Sequence, residues 1–267
     1  MKNTLSAQFD ANLLANFIHQ VINPLNAVCG TLDNLADGTL TGARRFQRLR
    51  AARAQLEQCV GLVRNLAYFA GTSLGPTGTR NVPADEDCVV PEIIIEAAQF
   101  FQEMAASRGI KIRLDDRVTQ YTIKGSKPLL RQVFMNLFDN AVKYSGNDTE
   151  ITVHPWVQKD TKNLLITVSN RGISIDKGEE EKIFEVGYRG NQARQKIATG
   201  SGLGLNICQI ILQTAFEAKI GVEPSHTAGE TVFLLRFPGC DVRPNRIIPE
   251  TGRRERTSKA KGPPHRR

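Results

Sequence analysis

The chain has 267 residues, 40% of them hydrophobic, with a formal net charge of +8. That is long enough for two modest domains with buried cores, and no apolar run approaches the roughly 20 residues a membrane helix requires. Nine Lys or Arg against three Asp or Glu fall between Asp241 and Arg267, so most of the charge excess sits in a tail and the near-neutral body argues against a nucleic-acid binder.

The opening, MKNTLSAQFD, lacks the basic-then-apolar layout of a signal peptide. Five scattered cysteines, Cys29, Cys59, Cys88, Cys208 and Cys240, form no C-x-x-C pair and read as reduced core residues. A cytoplasmic protein is expected.

Two helical patterns come first. Leu14, Ile18, Val21, Leu25, Val28, Leu32 and Leu35 recur at alternating spacings of four and three. After a turn through Asp37-Gly38 and Gly42, the residues Leu49, Ala52, Leu56, Cys59, Val63, Leu66 and Ala70 repeat the seam. Residues 1–71 therefore predict an antiparallel hairpin that needs a second copy to bury its stripe, giving a dimeric four-helix bundle. Residues 72–90, rich in Gly, Pro and Ser, read as a linker.

From 91 to 239 the pattern changes to α+β. A helix over about Pro91–Arg108 precedes strands at Ile110–Leu114 and Tyr121–Lys124, and a helix spans Pro128–Tyr144. Strands at Glu150–Trp156 and Leu164–Ser169, a helix at Leu203–Ala215 and strands at Lys219–Glu223 and Thr231–Phe237 complete an α/β sandwich. Residues 240–267, with four prolines and little apolar content, are expected to be a disordered basic tail.

Four segments of the second domain carry chemistry. In QVFMNLFDNAVKYS, Asn136 and Asn140 lie four apart on one helix face with Lys143 beside them. Neutral amide oxygens suit a Mg²⁺ ion already holding phosphate oxygens. Asn170, Gly172 and Ser174 follow a strand in VSNRGISI, where a polar side chain and a turn can face a base. IFEVGYRG follows, and then GSGLGLNIC, whose Gly200, Gly202 and Gly204 precede an apolar helix and form a phosphate-cradling turn with Leu203. In order and spacing these segments resemble the N, G1, F and G2 boxes of sensor histidine kinases, members of the ATPase superfamily that includes gyrase, Hsp90 and MutL. The hairpin's His19-Gln20-Val21-Ile22-Asn23-Pro24-Leu25 resembles their phosphoacceptor box.

The resemblance implies ATP and Mg²⁺ as cofactors, with the ion held by Asn140 helped by Asn136. Lys143 would touch phosphate, Tyr144 would pack on adenine, and the flexible stretch 187–199 would be a lid bringing Arg189 or Arg194 to the γ-phosphate. His19, on the flank of the seam, would take the phosphoryl group and pass it to a response-regulator aspartate, with Asn23 positioning water for dephosphorylation. Only Met1–Asp10 precede the first helix, so input is expected from a separate sensor protein or a ligand. Three positions depart from the family pattern. Gln20 replaces an acid and cannot accept a proton. Asn170 replaces an aspartate, though an amide can accept from adenine N6 and donate to N1. Ser174 replaces a glycine, at a cost of roughly 1 kcal/mol if that position needs positive φ. These departures leave an alternative, a non-autophosphorylating phosphotransfer or scaffold protein that retains the kinase fold.

Overall fold

The computed structural model describes residues 11–73, 86–197, 200–225 and 227–244. Helices α1 (Ala11–Ala36) and α2 (Gly42–Ser73) form the hairpin, joined by a turn in which Gly38 and Gly42 both take positive φ. The α1 helix continues through Pro24. The two seams divide along the sequence. Val21, Val28 and Leu35 are half-buried and Ala52 and Cys59 buried, whereas Ile18, Leu25 and Leu32 with Leu49, Leu56 and Val63 are exposed. The side chains of Leu14, Gln20, Leu66 and Ala70 lie outside the described residues.

The second domain starts earlier and ends later than the sequence suggested. β1 (Glu86–Val89) falls inside the expected linker, and β8 (Asp241–Pro244) falls inside the expected disordered tail. Both flank β3 (Thr119–Gly125) in an antiparallel sheet ordered β1-β3-β8. Four-residue segments such as EDCV and DVRP show no alternating apolar run, and it is the hydrogen bonds of β3 that make strands of them. Residues 74–85 and 245–267 lie outside the described residues.

The larger sheet has the order β2-β4-β5-β7-β6, built from Lys111–Leu114, Glu150–Val157, Leu164–Arg171, Glu230–Phe237 and Lys219–Glu223. Only β2 and β4 pair in parallel, because the chain between them leaves for β3 and the helix α4 (Lys127–Tyr144) before returning. Strands β4, β5 and β7 alternate, and their buried side chains pack against α3 (Val90–Ala106), α4 and α6 (Gly204–Phe216). The core between these layers holds Phe138 with Phe101 and Phe134, whose ring centroids lie 6.3 and 6.4 Å from its own. Cys88 and Cys208 lie in that core and Cys59 is buried in the hairpin, as small apolar residues do, while Cys29 is exposed; all five thiols are free.

Candidate nucleotide site

The inward row of β5 runs Leu164, Ile166, Val168 and then Asn170, so an apolar row ends in a buried amide. Register places Asn170 opposite Thr231 of β7, also buried. Beyond Asn170 the chain is pinned to the end of α4: Gly146 N–H donates to the Arg171 carbonyl at 2.9 Å and Ile173 N–H to the Tyr144 carbonyl at 2.9 Å. A Cβ on Gly172 would overlap the Tyr144 carbonyl and stand 2.6 Å from the Gly146 nitrogen. Glycine is required there by the close approach of two backbones. Ser174 is absent from the positive-φ positions, so the strain considered for it does not arise.

Helix α4 presents its polar face to the same place. The Asn136 carbonyl oxygen accepts from Gln132 at 3.2 Å, and its amide donates to the Gly204 carbonyl at 3.2 Å. Asn136 thus ties α4 to the start of α6. One turn on, Asn140 lines the cavity with Asp139, Lys143 and Tyr144. Burial pulls the Lys143 ammonium below its ordinary pKa, Arg189 nearby adds to that, and Asp139 opposes it. Burial in turn raises the Asp139 carboxyl, against the pull of Lys143. Asp139 escaped the sequence reading because its neighbours Asn136, Asn140 and Lys143 account for the helix face without it; the i, i+4 spacing to Lys143 was the available signal.

The glycine turn before α6 is shaped by what its glycines allow. A Cβ on Gly200 would stand 2.8 Å from Lys143 Nζ and 3.3 Å from Arg189 Nε, which locates both cations against the turn. A Cβ on Gly202 would meet the Gly187 carbonyl carbon at 2.5 Å and the Tyr188 oxygen at 2.6 Å, and Gly187 N–H donates to the Gly202 carbonyl at 3.1 Å. Leu203 precedes α6 without a side-chain cap, and Gly204 and Leu205 of the first turn line the cavity. Two cations, a helix N-terminus and a glycine-rich turn, in which Ser201 accepts from Leu203 N–H at 3.3 Å, form a place for an anionic group such as a polyphosphate.

The expected flexible stretch 187–199 contains a short helix, α5 (Asn191–Lys196), and residues 198–199 lie outside the described residues. Buried Glu179 accepts from the Tyr188 hydroxyl at 2.8 Å and from Asn191 N–H at 3.1 Å. Gln192 donates to Asp176 and, at 3.4 Å, to the Ser174 hydroxyl. Arg189 reaches back to the carbonyls of Ala193 and Ile197, and Arg194 lies over the Tyr188 ring. Asn206 donates to the Phe184 carbonyl at 2.9 Å, fastening the turn at Lys182–Phe184 to α6. Glu179, Gln192 and Asn206 act only through folded contacts, and no local spacing marks them.

The cavity measures about 470 Å³. Asn170, Ile173 and Thr231 line it together with Lys143, Arg189, Gly200 and Gly202, and the hairpin adds Asn23, Pro24 and Gln55. His19 is exposed on α1, one turn before Asn23. Among the described residues no group of three His, Cys, Asp or Glu side chains is placed to hold a metal ion, and none of the helices described is long and apolar enough to cross a membrane.

Residues 125–239 match the family model of the histidine kinase-, DNA gyrase B- and HSP90-like ATPases. The signal transduction histidine-protein kinase BaeS of Escherichia coli K12 is 28% identical over 210 residues, 77% of this chain and 42% of that protein. Full-length ShkA, solved with AMPPNP, shares the fold at a TM-score of 0.56 and 21% identity, over 85% of this chain and 45% of that one. The histidine kinase ThkA, solved with the response regulator TrrA, does so at 0.53 and 19%, over 85% of this chain and 61% of that one. The chain spans about half the length of the curated relatives it matches. Residues 125–239 thus match the ATPase domain of the histidine kinase, DNA gyrase B and HSP90 family, and the chain as a whole is similar to histidine kinases.

Proposed function

We propose that this chain is a histidine protein kinase, which moves the γ-phosphoryl group of ATP to His19 and then to an aspartate of a response regulator. The observation that carries the reading is the common cavity. Asn23 and Pro24, in the turn of α1 that follows His19, line the same cavity as Lys143, Arg189 and the glycine turn. In the first step a ring nitrogen of neutral His19 donates its lone pair to phosphorus. The bond from phosphorus to the bridging oxygen breaks, its electrons leave with ADP, and the proton on the other ring nitrogen passes to water, because the Gln20 amide cannot take it. Lys143, Arg189 and the first turn of α6 hold the phosphates, Tyr144 packs on the base, and Asn170 reads its edge. Asn140 is the residue to hold a Mg²⁺ ion, whose chemistry is to neutralise charge on the phosphate oxygens. Asn136 is already engaged by Gln132 and Gly204 and acts as a tie between helices.

The exposed halves of the hairpin seams support a homodimer, and ThkA's complex with TrrA supports a response regulator as partner. A sensor protein or ligand would supply the input, and the cytoplasm is the compartment in which ATP and such partners meet. Incubating the chain with γ-labelled ATP and Mg²⁺ tests the proposal. We expect acid-labile label that His19→Ala abolishes while ATP still binds, and Asn140→Ala should weaken Mg²⁺-dependent binding at least tenfold. Label that survives acid, or persists in His19→Ala, refutes the assignment. ATP binding without any label would favour the scaffold alternative, for which the Gln20 amide is the physical reason.

A further inference from the structure

Asn170 is 5% exposed, lines the cavity, and ends an otherwise apolar inward row. Its Nδ2 is buried with no hydrogen-bond partner among the described residues. A buried donor left unpaired is costly, so a molecule filling the cavity must bring an acceptor to it. A carboxylate at this position would make no such demand, because when ionised it only accepts.

Resting on the reading of the cavity as a nucleotide site, we propose that Asn170 lets this site take 6-oxopurine nucleotides as well as ATP. Adenine presents a donor at its 6-amino group and an acceptor at N1. Hypoxanthine and guanine present the reverse, an acceptor at O6 and a donor at N1–H. A primary amide matches either edge, since rotating it by half a turn exchanges oxygen and nitrogen. No described residue holds Nδ2, so the rotation breaks no hydrogen bond there. The neighbour across the sheet, Thr231, lines the same cavity; its hydroxyl donates to the Ile173 carbonyl at 3.5 Å, which leaves its lone pairs to accept, and each of the two base edges carries one donor. An ionised carboxylate would instead set its lone pairs against O6 and discriminate by repulsion.

The test is displacement of ribose-labelled N-methylanthraniloyl-ATP from the full chain with Mg²⁺, using ATP, ITP and GTP as competitors. ITP carries O6 and N1–H but lacks guanine's 2-amino group, so it isolates the amide from any exclusion of that group. We expect Asn170→Asp to raise the preference for ATP over ITP at least tenfold relative to the native protein, about 1.4 kcal/mol. A smaller increase, or none, overturns the proposal. If Asn170→Asp does not fold, Asn170→Ala decides: ATP and ITP should weaken to a similar extent, and weakening of ATP alone refutes the two-way reading. If ATP itself fails to displace the probe from the native protein, the nucleotide site is wrong and both readings fall together.

Discussion

Gly172 and Gly204 look equivalent in the sequence, each a glycine in a phosphate- or base-facing turn, yet the structure separates them. A Cβ on Gly172 would enter the backbone of Tyr144–Gly146, whereas on Gly204 the nearest atoms would be Asn136 Cβ and Cγ at 3.8 Å. We expect Gly172→Ala to destabilise the domain by about 1–3 kcal/mol, the scale of overpacking, and to weaken ATP binding. Gly204→Ala should change stability by no more than ~0.5 kcal/mol. Thermal unfolding of the two variants checks this, and equal losses would contradict it. The glycine motif was legible because such turns recur with fixed spacing. The reason for each glycine was not, because a close approach between residues 146 and 172 has no local signature. Ser174 shows the converse, a departure that costs no backbone strain.

At the scale of elements, the stretch 187–199, flexible by the resemblance, holds an ordered span from Tyr188 to Lys196. Its order comes from Glu179, which is buried and binds Tyr188 and Asn191 at once. Tyr188→Phe removes one of these bonds and leaves the ring beneath Arg194. We expect amide exchange across residues 188–197 to quicken by about tenfold, the scale of one net hydrogen bond; unchanged protection would show that the hydroxyl does not hold the lid. A second element, the turn from β2 to β3, depends on Asp116. Burial opposes its ionisation, but bonds from the Tyr121 hydroxyl at 2.7 Å and from the Val118 and Thr119 N–H groups outweigh that and bring its pKa down to about 2. A carboxyl depressed in the fold stabilises fully above its unfolded pKa of about 3.9 and loses that contribution as pH falls toward about 2. Discounted for its partial exposure, the effect is about 1 kcal/mol. Asp116→Asn should therefore lower urea stability at pH 7, with the gap from the native protein narrowing as pH falls below about 4. A gap constant between pH 7 and pH 3 would contradict this account. β1 and β8 were illegible for a related reason: a four-residue edge strand owes its existence to its neighbour, and β3 lies about 30 residues from one and 120 from the other.

For the whole molecule, the heptad seams were the most legible feature, since their period depends on no distant contact. Their division into a half-buried and an exposed set, at intervals of seven, is what a hairpin built to meet its own copy would show. Leu32 is 53% exposed and Val63 50%. We expect the full chain to sediment as a dimer and Leu32→Glu to shift it toward monomer, with Asn34→Glu as the silent control. A monomeric native chain in the ultracentrifuge would defeat this. The hairpin also supplies Asn23, Pro24 and Gln55 to the cavity wall, which binds the two domains in a thermodynamic bargain. If a tilt of α1 changes that wall, it changes the affinity for whatever the cavity holds. Reciprocity then requires the occupant to bias the tilt by the same factor. With ATP in the cavity, as proposed, an input arriving at the hairpin would be felt as a change in nucleotide affinity, and the exchange of ATP for ADP would be reported back to the hairpin.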